Sequence, residues 1–95
     1  MLFEEIEKEI WERENIRVVF RTQRGTAPGD NNGSGYNYNN TLGDQRLVYH
    51  LARRIRKTVG KNIDYVIVRG DGKVITSKLA TSSATKLGYV RKTYE

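Results

Sequence analysis

Residues 25–40 read GTAPGDNNGSGYNYNN, sixteen positions without Leu, Ile, Val or Met in a chain of 95. The core must therefore be assembled from what lies on either side. Four Gly, one Pro and five Asn make the run a loop by composition, and Pro28-Gly29 favours a turn. Loops of this length inside compact domains are uncommon and tend to be functional or disordered. The expectation is a flexible loop that orders on binding and whose residues 29–39 are dispensable for folding.

The flanks carry the periodic signals. In LFEEIEKEIWERE, Leu2, Phe3, Ile6 and Ile10 share one helical face and Glu5, Glu9 and Glu12 another. Trp11 lies off the apolar stripe and is expected at its partly buried edge. Residues 16–22 alternate as a strand, with Ile16, Val18 and Phe20 opposite Arg17, Val19 and Arg21. Beyond the loop, Thr41-x-x-Asp44 resembles a capping box. Leu47, Val48, Leu51, Ala52, Ile55 and Val59 then line one face of a second helix that Gly60 ends. Residues 63–69 and 73–79 are rich in β-branched residues around Gly70-Asp71-Gly72, which predicts a hairpin. The tripeptide Arg69-Gly70-Asp71 is read as turn chemistry rather than as an adhesion signal. The last run, LGYVRKTYE, alternates as a final strand would.

The order predicts a small two-layer α+β domain, α-β-(long loop)-α-β-β with a C-terminal strand. Parallel pairing of the first two strands follows from the right-handed crossover rule. One domain is expected at this length.

Charge narrows the partners. The net charge of +6 conceals a first helix region, residues 1–14, in which six Glu face Lys8 and Arg13, so the rest of the chain carries +10. A field of that sign attracts polyanions. On the second helix Arg46, His50, Arg53 and Lys57 fall within an arc of about 60°, opposite the apolar face. Arg54 and Arg56 flank them. Arg offers paired donors to phosphate oxygens. Arg21 and Arg24 lead into the loop, where Tyr36 and Tyr38 are placed to stack on unpaired bases. The expected function is nucleic-acid binding, DNA or RNA, through Arg21, Arg24, Tyr36, Tyr38, Arg46, His50, Arg53, Arg54 and Lys57. The same ridge would also suit an inhibitor or adaptor that docks on an acidic protein surface.

Other classes fit less well. The chain has no Cys and one His, so neither a thiolate metal site nor a Cys nucleophile is available. His50, set among arginines, lacks a carboxylate partner for catalysis. No Gly-rich run matches a dinucleotide or P-loop fingerprint, and no cofactor is expected. No apolar run approaches the roughly eighteen residues of a membrane span, and the acidic N-terminus does not resemble a secretory signal, so a cytoplasmic protein is expected. Asp64, the hairpin and Thr76-Ser77-Lys78 together loosely resemble the restriction-endonuclease-like nuclease core, in which an Asp precedes a hairpin bearing an acid-x-Lys triplet. That resemblance would enlist Glu5 or Glu9 from the first helix. Thr76 stands where the family has an acid, which removes a central metal ligand and leaves a degenerate nuclease as the alternative it implies.

Overall fold

Phe3, Ile6 and Ile10 recur every three or four residues. In the computed structural model, which describes residues 1–21, 29 and 35–95, they form the buried face of helix α1 (Phe3–Glu14). Glu4 and Glu5 complement its positive end and Arg13 its negative one. Asn15 stops the helix at φ 57°, its N–H bonded to the Trp11 carbonyl at 2.8 Å. Asn tolerates this left-handed conformation better than most residues with a side chain. The chain then reverses into strand β1 (Arg17–Arg21).

Strands β2 (Asp64–Val68) and β3 (Val74–Thr76) complete an antiparallel sheet in the order β1-β2-β3. Val18 pairs with Ile67 and Phe20 with Tyr65, so these four buried side chains share the inner face. They join Phe3, Ile6 and Ile10 and the buried residues of helix α2 (Val48–Val59), namely Val48, Leu51, Ala52 and Ile55, in one apolar cluster. The architecture is a small α+β domain. At the outer edge of β1, the Phe20 N–H donates to the Glu7 carboxylate at 2.8 Å, so α1 guards that edge.

The expected parallel pairing is not found. Arg21 lies opposite Asp64, so β2 begins at the end of the sheet where β1 stops. From residue 35 onward, the chain between the two strands makes two passes and ends where β1 stops. Gly35 and Tyr36 lie against Met1 and Glu9, and Thr41 reaches Arg13; this limb follows α1 towards its C-terminus. Helix α2 carries the chain back. An out-and-back connection delivers an antiparallel strand, and the crossover rule does not apply to it.

Helix α2 also starts later than Thr41. The Thr41 hydroxyl donates to the Arg13 carbonyl at 2.7 Å, satisfying an orphan group of α1 instead of capping α2. Arg46, expected on the second helix, lies in a bend before it, and the extended Leu47 bridges to Lys86: Leu87 N–H bonds the Arg46 carbonyl and Val48 N–H the Thr85 carbonyl, each at 2.8 Å. With twelve residues, α2 is about 18 Å long.

The hairpin turn forms as expected, with Gly72 at φ 87° and an Arg69–Asp71 ion pair at 2.9 Å. Strand β3 is shorter than residues 73–79, because the Thr76 hydroxyl accepts the Leu79 N–H and opens the single-turn helix α3 (Ser77–Ala80). The C-terminal strand is absent. Residues 87–92 form helix α4 (Leu87–Lys92), which buries Leu87 and Val90 and turns Arg91 inward. That i, i+3, i+4 spacing is helical and competes with the alternation. Among the described residues, no helix is long and apolar enough to cross a membrane.

Candidate nucleic-acid interface

Glu14 ends the apolar stripe of α1 and is fully buried, with 0% exposure. A charge in that position demands partners, and four groups converge on it. Arg54 Nη1 donates at 2.8 Å and the Leu42 N–H at 2.9 Å, the Tyr36 hydroxyl donates to Oε2, and Arg91 Nη2 lies 3.7 Å from Oε1. Arg91 also bonds the Glu14 carbonyl at 2.9 Å, the Leu42 carbonyl at 2.6 Å and Asp44 at 2.7 Å. This network locks α1, α2, α4 and the limb of residues 35–42 together.

Three residues of the expected interface change role as a result. Tyr36, expected on a flexible loop as a stacking platform, is only 5% exposed. Its phenol is held far above its ordinary pKa by burial and by the Glu14 hydrogen bond and charge, so it remains a donor to the carboxylate. Tyr38 is half-buried; its ring lies 4.8 Å from that of Tyr36, with the Arg54 guanidinium 4.3 Å from its centroid. Free stacking on both faces is therefore unavailable. Arg54 turns inward to Glu14 and also donates to the Asn40 carbonyl and side chain at 2.8 and 3.2 Å. Tyr36 and Tyr38 thus belong to a limb packed against α1 and Arg54 of α2, whereas residues 25–28 and 30–34 of the expected loop lie outside the described residues.

The rest of the ridge lies outward. Arg46, Arg53 and Lys57 are exposed and His50 is half-buried. None of the three cations has an ion-pair partner among the described residues. His50 Nδ1 accepts the Leu47 N–H at 3.0 Å at the start of α2, which places the proton of a neutral ring on Nε2. These four residues with Tyr38, Leu42 and Arg54 line an open cleft of about 200 Å³. Its chemistry suits phosphate: exposed cations, a ring N–H and a tyrosine–arginine stack line it together.

Arg21 does not join this group. It sits at the end of β1 opposite Asp64, outside the cleft lining. Arg24 lies outside the described residues. For the nuclease-like layout, Asp64 and Lys78 do line one cleft, but Glu9 is engaged with the Tyr36 N–H at 3.1 Å and Glu5 points to solvent. No group of three His, Cys, Asp or Glu side chains able to hold a metal occurs among the described residues.

Sequence reasoning missed Glu14 and Arg91. Glu14 was detectable: it follows Phe3, Ile6 and Ile10 at helical spacing, a carboxylate on an apolar stripe. Arg91 offered no comparable signal, because its role depends on α4 being a helix. No protein-family model matches this chain, and no curated protein or solved structure matches it significantly.

Proposed function

We propose that this protein binds nucleic acid through the outer face of α2 and the bend that precedes it, with Arg53 and Lys57 on the helix and Arg46 in the bend contacting backbone phosphates and His50 Nε2–H as an additional donor. The observation that carries the reading is a division among its arginines. Arg54 and Arg91 are neutralised by the buried Glu14 and by Asp44, whereas Arg46, Arg53 and Lys57 line one cleft with no ion-pair partner among the described residues. Like charges gathered this way repel one another, and a polyanion relieves the repulsion. The role is one of binding, without a chemical step.

Fluorescence anisotropy with labelled duplex and single-stranded DNA and RNA across a salt series tests it. Three neutralised phosphates give a duplex log–log slope of about −2.7. Replacing Arg46 and Arg53 by Ala reduces the slope to about −0.9 and weakens binding, while thermal unfolding stays close to wild type because both side chains are exposed. A dissociation constant unchanged by the double substitution overturns the proposal. Loss of all binding at physiological salt redirects the ridge to an acidic protein surface.

A further inference from the structure

A second cleft, of about 350 Å³, opens at the other end of α2 and shares no residue with the first. Gly60, at φ 81°, turns the chain out of α2, so Arg56 on the helix and Lys61 in the turn flank the opening. Lys78 reaches it from α3. None of these cations has an ion-pair partner among the described residues.

One carboxylate, Asp64, faces them, and its Oδ1 already accepts the Tyr65 N–H at 2.9 Å and the Ser77 hydroxyl. The carbonyl end of α2 adds about half a negative charge. Three cations against that total leave an excess of between one and two positive charges. Tyr65 also lines the cleft, and its buried hydroxyl has no hydrogen-bond partner among the described residues. An orphaned buried donor of this kind calls for an acceptor.

From three cations, without ion-pair partners among the described residues, lining one cleft together with Tyr65, we infer that the cleft binds a phosphate monoester. A monoester carries a charge of about −1.5 to −2 at neutral pH and offers three acceptor oxygens. A diester carries a single charge and has fewer free oxygens, so it matches the excess less well. The same chemistry occurs on a small phosphorylated metabolite and at a phosphorylated strand end. The inference does not rest on the α2 ridge as a nucleic-acid surface.

The test is a ¹H–¹⁵N NMR titration with glycerol 3-phosphate, controlled by sodium chloride at equal ionic strength. Saturable shifts are expected at Gly60, Lys61, Asn62, Ser77 and Lys78. Affinity should fall by about tenfold or more in the Lys61→Ala/Lys78→Ala double variant, since two charge-assisted contacts are lost. It should be unchanged in Arg46→Ala/Arg53→Ala. Lys61 and Lys78 are exposed, and the remainder of the spectrum reports whether the variant is folded. A parallel titration compares an oligonucleotide bearing a 5′-phosphate with its 5′-hydroxyl counterpart. Preference for the phosphorylated strand identifies a strand end as the source, and binding of glycerol 3-phosphate alone identifies a small molecule. Absence of saturation with both probes, or equal weakening by the two double variants, overturns the inference. If oligonucleotides fail to bind while glycerol 3-phosphate saturates the cleft, the ridge reading falls and this one stands.

Discussion

Replacing Glu14 with Gln keeps the volume of the side chain and removes its charge, leaving Arg54 and Arg91 facing a neutral amide in a buried site. Breaking a buried pair in this way costs about 3–5 kcal/mol, and the exposure of Arg54 and Arg91, 14% and 15% at their side chains, places the expected loss at the low end. Urea unfolding of Glu14→Gln should show a midpoint well below wild type with an unchanged slope; a midpoint equal to wild type would show that the network contributes nothing net. The residue scale also shows where sequence reasoning reached its limit. The spacing of Glu14 behind Ile10 was legible, and so were the outward positions of Arg53 and Lys57, because both follow from the helical period alone; Arg46 is exposed too, but in the bend before the helix. The inward turn of Arg54 was not. It depends on Glu14 and Tyr38, partners 40 and 16 positions away, and no local pattern encodes such pairings.

At the scale of elements, the first two helices and the first two strands follow from periodicity and turn residues. The elements that departed from expectation are those whose ends are decided by tertiary partners. Thr41 serves α1 rather than α2, Thr76 cuts β3 short to begin α3, and α4 takes helical form because Leu87, Val90 and Arg91 all find partners inside. The junction between the hairpin and the segment after α4 gives a direct test. The Gly70 N–H donates to the Thr93 hydroxyl at 2.8 Å, and a Cβ at position 70 would lie 1.8 Å from the Thr93 carbonyl oxygen. Gly70→Ala therefore forces the segment off the turn. Overpacking of this kind costs about 1–3 kcal/mol. The loss should appear as a lowered melting temperature and as faster amide exchange at Thr93 and Tyr94, with β1–β2 exchange preserved. Wild-type exchange at those two amides would mean that the backbone absorbs the methyl group.

For the whole molecule, charge is arranged by layer. The six Glu of α1 include three with internal duties, Glu7 on β1, Glu9 on the 35–42 limb and Glu14 in the network, and the remaining three face solvent. Six cations without an ion pair among the described residues, Arg46, Arg53, Arg56, Lys57, Lys61 and Lys78, line the two clefts along and beyond α2. Alkaline pH probes the protein as a unit, because Tyr36, Tyr65 and Tyr94 all have raised phenol pKa values, in each case chiefly through burial, and Tyr65 is pushed up to about 12. The unfolded chain gives up these protons near pH 10 while the folded chain retains them. Stability from this source is complete below about pH 10 and declines as pH rises through the folded values. The urea midpoint should be level up to that pH and then fall, and Tyr36→Phe should fall less steeply. Parallel declines in the two proteins would remove Tyr36 from the account.

The network around Glu14 has a kinetic consequence. It gathers groups from positions 36, 42, 54 and 91 onto one carboxylate, and the Tyr94 hydroxyl joins the start of β1 to the end of β2 by accepting from Arg17 N–H and donating to the Val68 carbonyl. Most of these contacts close loops of dozens of residues, and the entropy of each closure precedes its reward. A half-folded chain has no inexpensive way to bury Glu14, since any arrangement lacking one of its arginines leaves charge inside without compensation. Partial structures are thereby penalised, and the same carboxylate that binds the finished elements together discourages the chain from stopping short of them.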